Sequence, residues 1–183
     1  MPNATTLLGV ATTPALVKTE MSEDQFLALG ETKHHEYYDG MCVVNPPNRR
    51  HARAERALYE ALRLHVPDGH ELLIEWGWRT GGSWFEPDLI ILALEGPGDI
   101  TVDPPLLIVE ILSPSNRLDD LVTKRQKYAA GGLSWYWIAD IDHCRLTVLE
   151  LVDGVFLERQ RLTGAQITIG PVRVGIDPAS LAC

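Results

Sequence analysis

At 183 residues, with 45% apolar and 22% charged side chains, the chain has the length and composition of one ordinary folded domain with its own core. Disorder along its whole length is thereby excluded. Twenty-five acidic against sixteen basic residues leave a net charge of −9, which argues against a protein that coats nucleic acid nonspecifically, but not against an enzyme that grips a polyanion through a local basic patch and a metal.

Residues 1–20, rich in threonine, read as a loose leader, and residues 21–183 as a single domain. Ser22-Glu23-Asp24-Gln25 has the spacing of a capping box ahead of Phe26 and Leu27. Asp39-Gly40, between Glu36-Tyr37-Tyr38 and Met41-Cys42-Val43-Val44, is a two-residue hairpin signal. Pro46-Pro47 breaks the chain, and Asn48 then caps a helix to about Leu64, with Ala54, Leu58, Ala61 and Leu62 at helical spacing. From His70 to Arg79 the period becomes two, placing Leu72, Ile74, Trp76 and Trp78 on one face and Glu71, Glu75 and Arg79 on the other. Asp88–Leu94 and Leu106–Leu112 are almost wholly apolar, as central strands covered on both faces should be. A helix from about Arg117 to Ala130 is closed by Gly131-Gly132. Trp135–Ala139 and Arg145–Leu151 read as further strands, with short strand-like pieces from Val155 to Val174. The order helix, three strands, helix, strand predicts an α/β fold with a mixed sheet flanked by helices.

Glu110 is the residue that demands a function. Leu106, Ile108, Glu110 and Leu112 alternate onto one face of a buried strand. An ionised acid there costs several kcal/mol unless it is paired or bound to metal. Asp88 opens the preceding apolar strand and can stand beside Glu110 if the strands are neighbours. Two carboxylates with open water positions suit Mg²⁺, with Mn²⁺ as substitute, and such a cation activates water and offsets charge on a phosphate. Asp120, Lys124 and Tyr128 recur every four residues and form one helix stripe. Folded over the strand end, the Lys124 ammonium could orient water or stabilise a phosphoryl centre. Taken singly, Asp88 also suits a strand-entry cap, and Asp120 with Lys124 a surface ion pair of small worth.

Glu86-Pro87-Asp88, Val109-Glu110-Ile111-Leu112-Ser113-Pro114-Ser115, the Asp120, Lys124 and Tyr128 stripe and Tyr136-Trp137-Ile138-Ala139-Asp140 resemble the Uma-two family of endonucleases, within the restriction-endonuclease-like PD-(D/E)XK superfamily. His35-Glu36-Tyr37 with Asp39-Gly40, and His51 at the head of the first core helix, extend the resemblance from about Ser22 to the C-terminus. It implies a restriction-endonuclease-like core of helix, three strands, helix and strand, preceded by a helix and hairpin and followed by extra strands. It also implies Asp88 and Glu110 as metal ligands with Glu36 as an extra acid, and Lys124 as the catalytic lysine, with Asp120 and Tyr128 in support. The superfamily often has a lysine two residues after the glutamate; Leu112 stands there, so the role passes to Lys124. Ser134-Trp135 and Met41 depart from the family pattern at its periphery.

Weaker signals remain open. Arg49, Arg50, Arg53 and Arg56 form either a phosphate-facing patch or a solvated helix face with Glu55 and Glu60 interleaved. His51 suits a proton shuttle or a backbone anchor. The pairs Trp76 with Trp78 and Trp135 with Trp137 suit the core or a homodimer interface better than base stacking. His143 and Cys144 point opposite ways and do not form a nucleophile. Cys42, Cys144 and Cys183 match neither a zinc spacing nor a disulfide framework, no run reaches the ~18 apolar residues of a membrane span, and Met1–Glu20 lack the pattern of a secretory signal. The expectation is a cytoplasmic, magnesium-dependent endonuclease acting on DNA. The alternatives are a nuclease-fold module that binds without cutting, or a metal-dependent hydrolase of another phosphoester.

Overall fold

The computed structural model describes residues 16–30, 34–45, 48–94, 101–114 and 116–182. Most of the expected leader, Pro46-Pro47, Ser115 and Cys183 lie outside the described residues. The elements in chain order are β1 (Val17–Glu20), α1 (Glu23–Leu27), β2 (His35–Tyr38), β3 (Met41–Val44), α2 (Arg49–Leu62), β4 (His70–Ile74), β5 (Trp78–Thr80), β6 (Ser83–Phe85), β7 (Leu89–Ala93) and β8 (Leu107–Ile111). A π-helical segment (Asp119–Lys124) then runs into α3 (Arg125–Ala130), followed by β9 (Trp135–Asp140), β10 (Arg145–Val152), β11 (Val155–Leu162), β12 (Gln166–Ile167) and β13 (Gly175–Ile176).

A six-stranded sheet in the order β11-β10-β9-β8-β7-β4 forms the centre. Its pairings are antiparallel except that of β8 with β9, which is parallel. The expected order of helix, three strands, helix and strand is present as α2, β4, β7, β8, α3 and β9. Apolar residues of both parities on β7, β8 and β9 are buried because both faces are covered. Leu89, Ile91, Leu107 and Val109 pack with Ala54, Leu58 and Leu62 of α2. Ile90, Ile108, Leu112 and Tyr136 pack with Tyr128 of α3 and with Tyr38, Trp78 and Phe85 of a second sheet. Glu110 shares this second face with Ile108 and Leu112, whereas Leu106 packs against the α2 cluster.

The second sheet, β1-β3-β2-β6-β5, corrects two expectations. The segment read as a leader contributes β1, whose Val17 pairs with Val44. The expected strand from His70 to Arg79 is two strands in different sheets: Glu75 adopts a φ of 50°, which ends the alternation and turns Trp78 away from β4. Asp39 and Gly40, with φ of 54° and 74°, make the hairpin turn foreseen between β2 and β3. Asn48 caps α2 by accepting from the N–H groups of Arg50 and His51.

The expected helix from Arg117 to Ala130 is wound as a π-helix over Asp119–Lys124. The wider turn lets Asp119, Asp120 and Lys124 all be buried. Gly131 permits a close approach, since a Cβ there would lie 2.8 Å from the Trp78 ring. Trp78 and Trp137 are fully buried, so the core half of the tryptophan reading holds and neither ring is available to bases. Among the described residues no helix is long and apolar enough to cross a membrane.

Candidate active site

The antiparallel register pairs Leu89 with Val109, and continuing it by one residue sets Asp88 opposite Glu110. One oxygen of Asp88, Oδ2, accepts the Ile111 N–H at 2.6 Å and lies 3.2 Å from Nε2 of His51. His51 reaches it from the first turn of α2 and is itself buried. Glu110 is 1% exposed. Its Oε1 accepts both the Tyr128 hydroxyl at 2.6 Å and the Lys124 ammonium at 3.1 Å. Each acid thus has one oxygen held by the protein and a second, Oδ1 of Asp88 and Oε2 of Glu110, without a partner among the described residues.

Lys124 is gripped from three sides. Its Nζ lies 2.9 Å from Oε2 of Glu36, 3.1 Å from Oε1 of Glu110 and 3.3 Å from Oδ1 of Asp120. The stripe expected on one helix face therefore points inward, and Lys124 with Asp120 is no surface pair. The segment linking β8 to the π-helix is clamped by Asn116, whose Oδ1 accepts from the Ser113 N–H at 2.6 Å. Glu36 differs from the other two acids expected to bind metal. Its Oε2 is taken by Lys124, and its Oε1 accepts the Glu86 N–H at 3.1 Å.

The electrostatics follow from this crowding. Burial pushes the Glu110 carboxyl well above the usual range; Lys124 opposes the shift, while Asp120, Asp88 and Glu36 add to it. Burial raises Glu36 likewise against the pull of Lys124, and Asp120 rises to about 7 for the same reasons. Burial alone would lower Lys124, but Glu110 and Glu36 overcome it and hold the ammonium charged. His51 is also raised, because Asp88 outweighs its burial. One ammonium does not neutralise the acids around it. Adding a divalent cation would relieve that excess, and the open oxygens of Asp88 and Glu110 suit the one or two carboxylates that Mg²⁺ takes.

Beside the acids expected to bind metal, the cleft holds His34, Glu75 and Glu86. His34, Glu36, Glu75, Glu86, Asp88 and Glu110 all line it. Among the described residues, one set of three side chains brings donor atoms within 4.8 Å of one another, and it is His34, Glu75 and Glu86 rather than Asp88, Glu110 and Glu36. Burial lifts Glu86 to about 7. Glu55, interleaved with the arginines of α2, is half-buried and rises to about 7 through burial and the nearness of Asp88 and Glu75. Glu86 stood in the Glu-Pro-Asp motif and could have been noticed. Glu75 could not, because its position depends on the backbone break at that residue.

A family model described as "Uma2: Putative restriction endonuclease" matches residues 23–177. The crystal structure of a "putative nuclease belonging to DUF820" from Anabaena variabilis superposes with a TM-score of 0.74 at 17% identity, covering 88% of this chain and 97% of that one. At that identity the likeness shows the fold, an α/β nuclease-like fold. No curated protein matches the chain.

Proposed function

Since the chain belongs to the Uma2 family of restriction-endonuclease-like proteins, we propose that it is a metal-dependent endonuclease hydrolysing phosphodiester bonds of DNA, with Mg²⁺ as its cation and Mn²⁺ as a substitute. The observation that carries this reading is the pair Asp88 and Glu110. They stand on neighbouring strands, each with one oxygen pinned by the protein and one open, beside a buried ammonium. These two acids would hold the cation, which when bound would acidify a water and offset charge gathering on the phosphoryl group.

The chain's own groups do the rest. His51 and the Ile111 N–H fix the rotamer of Asp88. Tyr128 donates to Glu110 and so orients it as a positioning residue. Glu36 and Asp120 hold the Lys124 ammonium in the cleft, where its charge can align the attacking water or meet the phosphoryl oxygens. Family membership together with this acid pair favours phosphodiester hydrolysis over other phosphoesters.

The test is plasmid nicking by the purified chain with Mg²⁺ or Mn²⁺, beside Glu110→Gln, with Mn²⁺ titrated into both by calorimetry. We expect the variant to lose at least ~10²-fold in rate and most of its Mn²⁺ affinity. A wild type that binds Mn²⁺ neither alone nor with DNA, and cuts nothing, would sink the reading. One observation favours a module that binds without cutting: Lys124 is already engaged by three carboxylates. That alternative requires DNA binding with no cleavage in either metal.

A further inference from the structure

The net charge of −9 leaves open how such a protein would approach a polyanion. We propose that the N-terminal half of α2, together with the turn between β9 and β10, forms the seat for the DNA backbone beside the cleft. This rests on the endonuclease reading and names the surface that would serve it. Arg49, Arg50, Arg53 and Arg56 stand along this half of α2, and Arg117 and Arg145 gather at Asp140 before the turn. Arg50 bridges the two parts, donating to Asp142 and to the Ile141 carbonyl oxygen at 2.9 Å. Arg117 and Arg145 each donate to Oδ2 of Asp140 at 2.8 Å. Three of these guanidinium groups thus share two carboxylates, while Arg49, Arg53 and Arg56 stand exposed on α2.

The acids interleaved along α2 do not neutralise the patch. Glu55 turns inward toward the cleft, and Glu60 is occupied by Arg63 at 2.6 Å. Helix stability gives no reason for arginines at this end of α2. The N-terminus of a helix carries a positive partial charge and favours acidic residues, whereas the first turn of α2 has no acid and begins with two arginines. The dipole and the arginines therefore add to a positive potential at one end of an otherwise acidic molecule, which is how a charged ligand is steered to one face.

The location fits the cleft. Arg50 adjoins His51 and Arg117 adjoins Asn116, and both of those neighbours line the cleft. β8 and β9 run parallel with Glu110 beside Ile138, so Asp140 lies one strand over and two residues further on, about 8 Å away by ordinary sheet spacings. The side chains of Arg50, Arg117 and Arg145 are 48%, 36% and 32% exposed. Each spends one or two of its five N–H donors on the protein, leaving the others for phosphate oxygens.

The test is fluorescence anisotropy with a labelled duplex oligonucleotide and the Glu110→Gln chain in Ca²⁺, across a salt series. Arg49→Ala with Arg53→Ala is the informative pair, since no described group bonds either side chain and the fold should be unaffected. Arg159→Ala with Arg161→Ala on β11 is the control. We expect the first pair to weaken binding at low salt and to reduce the slope of log affinity against log salt by about two, roughly one per lost phosphate contact, with the control unchanged. Wild-type affinity and slope in the first pair, or an equal loss in the control, would overturn the proposal. Binding that depends on these arginines in a protein that never cuts would keep this surface and refute the catalytic reading. Metal-dependent cutting by a protein whose binding ignores them would do the reverse.

Discussion

Glu110 and Asp140 lie on neighbouring parallel strands, face the same side of the sheet and are 1% and 3% exposed. Their carboxyls nevertheless shift in opposite directions. Asp140 is also penalised by burial, but Arg117, His143 and Arg145 all bond to it and hold its carboxyl far below the usual range. Glu110 has Lys124 and Tyr128 as donors, yet Asp120 and Glu36 share the same ammonium and the charge of Asp88 adds to the crowding. Both carboxyls are closed to solvent, but Glu110 lies deep in the protein and Asp140 near its surface, so depth and partners act together. One end of this sheet face is short of positive charge and suits a cation. The other has guanidinium donors to spare and suits an anion.

The comparison breaks most readily at Lys124. Lys124→Ala strips from a buried group of acids the one ammonium that the described residues bring to it, so the metal-free protein should lose about 3–5 kcal/mol, read as a lower urea midpoint, with Mn²⁺ restoring part of the loss. A midpoint equal to wild type would show that the acids are not crowded. At the other end, Asp140→Ala should cost less, about 1.5 kcal/mol, because its arginines are a third exposed and can turn to water. A loss as large as that of Lys124→Ala would erase the contrast.

The smallest effect is in pH. Glu110, Glu36 and Asp120 bind protons more tightly folded than unfolded. Above the ordinary carboxylate range, to about 7 in the case of Asp120, the folded chain therefore holds the extra protons, and rising pH weakens it. His51, raised as well, acts in the same direction. Asp140 has the opposite sign: its contribution is present above its ordinary value and is lost as pH falls below about 3.8. Scanning calorimetry in EDTA should give a higher Tm at pH 5.5 than at pH 8, with Mg²⁺ narrowing the gap. A flat profile, or one indifferent to Mg²⁺, would contradict the crowding.

Much of this was legible in the sequence because the central sheet writes itself plainly. The apolar runs around Ile90 and Ile108 have no polar parity, which occurs only when both faces are covered, and that made a charge at Glu110 conspicuous. The Asp120, Lys124 and Tyr128 spacing pointed to one face, and all three side chains turn inward. What was not legible depends on distant pairing. β6 joins β2 through Tyr37 and Trp84, forty-seven residues apart, with no local signal. The break at Glu75 and the π-helical winding are backbone choices made by the packing around them.

That winding has a consequence for the spacing of the chain itself. A π-helical stretch holds an additional residue in its turn, which delays the angular phase of everything after it relative to an ordinary helix, by up to ~100° for one residue. Here Asp119 can reach outward to Lys18 at 2.7 Å while Asp120, its immediate neighbour, faces the interior with Lys124. The stretch works as a built-in insertion, so the path from Ser113 to Tyr128 tolerates changes of side chain more readily than changes of length. Removing one residue would rotate the ammonium and the phenol out of step with the carboxylate they both touch.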